Sequence, residues 1–269
     1  MRGRGASGRD TGPLRWLLPA GVFAAAVLAW EVLVRTASIP HYILPAPSLV
    51  LSTLRDNLGS LSVSWWFTIK ITFGALLLSV VLGVALAAVF ALSRWVERSL
   101  FPFAIVLQVT PIVAIAPLIL IYVDSTTAAL LICAWIVAFF PILSNTVVGL
   151  RSADAHLHDL FTLYGASRWQ RLRLLLVPTA LPYFLAGLKV AGGLALIGAV
   201  VAEFTAGAAG RETGLASRIL EASFRTEVPK MFAALLLVSL TGIAIFLLFG
   251  LLSRLLLGRW HESERRPGG

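Results

Sequence analysis

Long apolar runs separated by short polar connections dominate the chain, and that alternation predicts its elements. Apolar stretches of about 18 or more residues can cross a bilayer as helix. They occur at residues 14–34, 68–92, 100–123, 126–150, 181–204 and 231–257. The connections leave no room for a separate soluble domain. The pattern therefore predicts an all-α membrane protein of six transmembrane helices, one membrane domain over residues 14–258. Residues 1–13, rich in Gly and Arg, read as a disordered tail, and residues 259–269 as a second tail. The run to residue 34 is too long for the apolar core of a cleaved signal, so the first span reads as a retained anchor.

Between the fourth and fifth spans, residues 151–178 interrupt the pattern with a polar, arginine-bearing elbow. Residues 154–164 have helix-forming character and stop at Gly165, which suits the left-handed position after a helix. Ser167-Arg168-Trp169-Gln170 has capping-box spacing, with Ser at the N-cap and Gln three residues on. A second limb carrying Arg168, Arg171 and Arg173 is expected to run to Val177 and stop before Pro178, which disfavours helix at the residue ahead. On residues alone, two readings stand: a grip for a soluble partner, or an amphipathic segment whose arginines face lipid phosphates.

Smaller interruptions mark the other spans. Residues 39–48 hold three prolines and read as an irregular outer segment, followed by a short amphipathic helix at 49–61 capped by Ser48. The third span contains Thr110-Pro111 and Pro117, reading either as a broken helix lining a pathway or as a kinked packing helix. Gly83, Ala87 and Ala91 form a small-residue ridge on the second span. A longer ridge on the fifth, Gly187, Ala191, Ala195, Ala199 and Glu203, is expected to make a close helix interface, a subunit interface among the options. Glu203 either lines the path or sits in the headgroup zone, and Lys189 is expected to snorkel to the near surface. Beyond it, Gly207, Gly210 and Gly214 open the longest outer loop, and residues 216–225 have helical character. Arg218, Glu221 and Arg225 share one face there, a docking surface or a solvated one.

Composition agrees with the pattern. Apolar residues make up 58% of the chain and charged residues 13%, with mean hydropathy +0.89; a soluble domain carries about 25% charged residues. The net charge of +9 would suit nucleic acid, but its distribution argues for topology. Segments on the side of both termini hold twice as many basic residues as those on the other side, which places both termini in the cytoplasm. No phosphate-binding Gly-x-x-x-x-Gly-Lys motif, no His-Glu-x-x-His site and no catalytic constellation stands out, so no cofactor or metal is expected. Cys133 is the sole cysteine and lies within a span.

The elbow's spacing resembles the EAA loop of the inner-membrane permeases of ABC importers. Asp159 stands at the acidic position, Gly165 at the glycine, Leu175 at an aliphatic position and Val177-Pro178 at the end; Leu160 and Phe161 replace the usual small residues. Leu44-Pro-Ala-Pro-Ser48, the stretch from Thr110 to Leu118, Gly165-Ala166-Ser167-Arg168-Trp169, Pro178-Thr-Ala-Leu-Pro182 and Val200-Val-Ala-Glu203-Phe204 are similar to the nitrate/sulfonate/taurine branch, which also serves pyrimidine precursors and riboflavin. The resemblance implies a type I importer permease in a bacterial inner membrane, usually a homodimer. Cytoplasmic ATPase subunits would grip Asp159, Gly165, Ala166, Ser167, Arg168, Trp169 and Pro178. A periplasmic or lipid-anchored binding protein would deliver a small organic solute, with Tyr42, Trp65, Trp66 and Phe204 available outside. Thr110, Pro111, Pro117, Gly187, Ala191, Ala195 and Glu203 are the candidate path or interface residues. The competing classes are an ion-gradient-driven transporter or channel, for which no convincing inverted repeat is found, and an intramembrane enzyme.

Overall fold

The computed structural model describes residues 14–207 and 213–258, and every regular element among them is helical. The two expected tails and Gly210 lie outside those residues. Five helices are long and apolar enough to span a bilayer: α1 (Leu14–Thr36), α3 (Leu58–Leu92), α6 (Thr126–Arg151), the continuous helix ending in α9 (Val177–Ala206), and α11 (Val228–Leu257). A bent pair, α4 (Arg94–Val109) and α5 (Ile112–Tyr122), which meet at 99°, makes a sixth if the two count as one broken span. The break falls at Thr110-Pro111. Thr110 takes extended backbone angles ahead of the proline, and its hydroxyl donates to the Val106 carbonyl at 2.7 Å. Pro117 lies within α5 without breaking it.

Around the short helix that follows α1, two expectations need correction. The short helix α2 covers Pro47–Asp56, and Leu58 already belongs to α3, which is 35 residues long and starts ten residues before the expected span. Ser48 does not cap α2, because Ala46 holds that position. Its N–H and hydroxyl instead donate to Glu31 on α1, at 2.9 and 2.7 Å. A carboxylate 17 residues away outcompetes the local cap. Further round, α10 (Leu215–Phe224) forms as the helical character of 216–225 suggests.

The centre of the molecule is α6, with α3 on one side and α9 on the other. Small residues set the spacing. A Cβ at Gly198 would lie 2.9 Å from the Cα of Ala134, and one at Gly187 would lie 2.8 Å from both the Asn145 Cβ and the Pro141 carbonyl oxygen. Only hydrogen fits, so the backbones approach closely and gain dispersion contacts along their length. Gly83 and Ala87 play the same part on α3, whereas Ala91 is exposed. Lys189 lays its ammonium 4.0 Å from the centre of the Phe246 ring on α11, an exposed partner on the neighbouring helix.

Candidate functional site

The elbow is built by local chemistry. After α6 ends at Arg151, Asp154 caps α7 (Ala155–Leu163) by accepting the His156 N–H at 2.7 Å. Gly165 follows at φ +65°; its N–H donates to the Thr162 carbonyl and the Ala166 N–H to that of Phe161, the two bonds of a Schellman turn. Ser167 and Gln170 then form the reciprocal capping box of α8 (Arg168–Arg171), at 3.2 and 2.8 Å. Two caps back to back fix the angle between the limbs. The tip projects apolar side chains: Leu163 is 85% exposed, Tyr164 82% and Trp169 66%. A shallow groove of about 280 Å³ runs through the crook, floored by Phe161, Ala166 and Leu174. Asp159 is exposed on α7, and Arg168 is exposed on α8.

The second limb does not stop before Pro178. From Leu172 to Leu176 the chain winds as π-helix, with the Val177 N–H bonded to the Leu172 carbonyl, and α9 continues from there. A proline in an α-helix loses its own N–H bond and presses its ring on the carbonyl four residues back. The wider π turn relieves that clash. Elbow and span thus form one helix of 39 residues, Arg168–Ala206.

At the other end of that helix lies a junction the sequence showed only in part. Glu203 is fully buried within the protein. Its carboxyl accepts the Thr68 hydroxyl at 2.8 Å and the Ala216 N–H at 3.0 Å, while the Leu215 N–H donates to Thr68 Oγ1 at 2.9 Å. Leu215 and Ala216 open α10, whose own N-cap residue, Gly214, supplies no side chain. Glu203 and Thr68 therefore cap α10 from two other helices, a carboxyl at the positive end of a helix dipole. Gly214 is required, since a Cβ there would fall inside the Glu203 carboxyl. Gly214 stood out as a loop glycine; nothing in the sequence marked Thr68.

The rest of the α9 ridge is accounted for inside the chain. Gly187 packs on Asn145, and Ala191, Ala195 and Ala199 are fully buried in clusters with residues of α6, so none of that ridge is left for a second copy. Trp65 is likewise engaged, its indole N–H donating to Thr241 on α11 at 2.7 Å. On α10, Glu221 binds Arg218 at 2.8 Å and Arg225 at 2.9 Å, and Arg218 also reaches Ser64 at 3.0 Å. The hydrogen bond from Arg218 is the main reason the Glu221 carboxyl is held below its ordinary range.

Known proteins resemble the chain as a whole. Residues 79–259 match the family described as binding-protein-dependent transport system inner membrane component. The chain is 35% identical to the riboflavin transport system permease protein RibX of Chloroflexus aurantiacus, over 87% of this chain and 86% of that protein. It is 33% identical to the formylaminopyrimidine transport permease protein ThiX of Halalkalibacterium halodurans, over 92% and 97%. A crystal structure of an amino acid ABC transporter with histidines shares the fold, at TM-score 0.55 and 17% identity, covering 70% of this chain and 89% of that one. The chain accordingly belongs to the binding-protein-dependent transport system inner membrane components: it is a type I ABC importer permease of the nitrate/sulfonate branch.

Proposed function

We propose that this permease works in a bacterial inner membrane with both termini in the cytoplasm, and that its elbow is the coupling piece seated in a separate ATPase subunit. The elbow geometry carries the reading: Gly165 at φ +65° between a Schellman turn and a capping box presents Leu163, Tyr164 and Trp169 outward on a rigid mount. Its two limbs lead directly into α6 and α9, the most closely packed pair in the chain. Motion delivered at residues 159–169 and passed through Pro178 thus reaches both helices together. The chain supplies no ATP chemistry; it converts a partner's closure into alternating access, with Thr110, Pro111 and Pro117 on the broken span lining the path.

A periplasmic or lipid-anchored binding protein delivers the substrate to the outer side, and two copies of this chain enclose the path. The substrate is a small organic solute. A nitrogen heterocycle is favoured, because the relatives named above transport riboflavin and formylaminopyrimidine. A sulfonate- or nitrate-like anion is the second choice. The test is co-purification from the native membrane, followed by transport in vesicles. A stoichiometric ATPase and uptake that stops on ATP removal are expected. Uptake that persists in the Gly165→Pro variant, or without any ATPase, would overturn the coupling role and favour a gradient-driven carrier.

A further inference from the structure

At the elbow end of the bundle, away from the tip, α3, α4, α6, α7 and the π turn line an open cavity of about 790 Å³. Arg94, Arg98, Arg151 and His158 stand around it with a single carboxylate, Glu97. Arg151 is paired with Glu97, which ties the last turn of α6 to the first turn of α4. Among the described residues Arg94 and Arg98 have no ion-pair partner. The wall behind them is apolar, formed by Phe90, Phe101 and Leu150. The cavity is therefore cationic at its rim and greasy at its back.

A second groove of about 560 Å³ adjoins it, sharing Leu150, and runs along α3, α6 and α9 between Val80, Ala88 and Phe184. From Ala88 to Val80 the α3 wall descends eight residues, about 12 Å at 1.5 Å per residue, into the hydrocarbon zone. Val81 and Val177 on its rim are more than half exposed, so the groove is open at the surface of the chain. A cationic seat and an apolar furrow that meet at Leu150 together have the polarity of one kind of molecule.

We infer that this bipartite site holds an anionic phospholipid, with its phosphate between Arg94 and Arg98 and an acyl chain along the α3–α9 furrow. Basic pockets between spanning helices select anionic headgroups through charge, and the furrow adds apolar burial that a free phosphate cannot use. A lipid there bridges α4, at the start of the broken span, to α9, which carries the elbow. The site requires only that the chain span a membrane, and it stands or falls separately from the importer reading.

The test is native mass spectrometry of the full chain in neutral detergent, supplied in turn with phosphatidylglycerol, phosphatidylcholine and inorganic phosphate. Phosphatidylglycerol should be retained over phosphatidylcholine. Arg94→Gln and Arg98→Gln should each weaken that retention about fivefold, and Arg→Lys at both positions should restore most of it. Ala88→Trp, which fills the furrow, should weaken lipid retention and leave phosphate binding unchanged. Equal retention of the two lipids, or Gln variants that hold phosphatidylglycerol like the parent, would overturn the proposal. Phosphate binding with no effect of Ala88→Trp would identify a free-anion site instead. Gln variants that lose the ATPase but keep the lipid would assign the face to a protein partner. Should the Gln pair fail to fold, the Ala88→Trp and lysine variants still decide.

Discussion

The hydroxyl of Thr68 lies 2.8 Å from the Glu203 carboxyl, to which it donates, and it accepts the Leu215 N–H at 2.9 Å. One side chain on α3 thus joins the end of α9 to the start of α10. The start of α10 is held by buried polar bonds, which are expensive to leave unmade.

Glu203→Ala should therefore cost about 2–4 kcal/mol of stability, because two donors lose their acceptor in a dry site. Gly214→Ala should cost about 1–3 kcal/mol through overlap with the same carboxyl. Combined, the two should be strongly non-additive, since removing the carboxyl makes room for the methyl. Thermal unfolding of the four proteins in detergent measures the cycle; simple additivity would mean that the two residues do not compete for one space.

Gly165→Ala has free space for its methyl and is strained only by the left-handed backbone, so about 1–2 kcal/mol is expected. Ser167→Ala removes one half of the capping box, about 1 kcal/mol. Both losses should stay local to the elbow, leaving the unfolding of the long helices nearly unchanged, and should lower ATP-driven uptake more than either loss alone explains. Uptake that merely tracks the amount of folded protein would contradict this.

At Gly198 the effect should fall on the fold. Gly198→Val forces α6 and α9 apart at Ala134 and should lower stability by about 1–3 kcal/mol or more, with reduced yield in the membrane. An ordinary melting curve for this variant would show that the two helices slide freely.

Glu221 provides a pH test. Its lowered folded-state pKa means that its ion pairs contribute fully above the ordinary carboxylate range, and the contribution is lost as pH falls through the lowered value. The pairs are partly exposed, so the contribution is small and weakens with salt. Arg218→Ala should raise the Glu221 titration midpoint, followed by carboxyl carbon resonance; an unmoved midpoint would exclude the Arg218 bond as its cause.

What the sequence revealed and what it hid divides by contact distance. The elbow was legible because Gly165, Ser167 and Gln170 act within a few residues of one another, and cap chemistry is local. Ser48 was misread because its partner, Glu31, lies across a turn on another helix. Glu203 was underestimated for the same reason: Thr68 is 135 residues away, and only folding brings α3 beside α9. The break at Pro111 was legible as a possibility, but its 99° angle belongs to packing. At Pro178 the rule for proline was sound for an α-turn, and the chain escaped it by winding a different one.

That π turn has a rotational consequence. It holds one residue more than an α-turn would, and each residue of helix turns the axis by about 100°. By absorbing that residue within one wider turn, the segment between positions 172 and 176 lets Trp169 and the elbow tip keep their bearing relative to the buried seam of α9. Deleting a residue from the α-helical stretch beyond Pro178 would instead swing the tip about a third of a circle round the rod. Related chains should accordingly guard the phase of this segment more strictly than its composition.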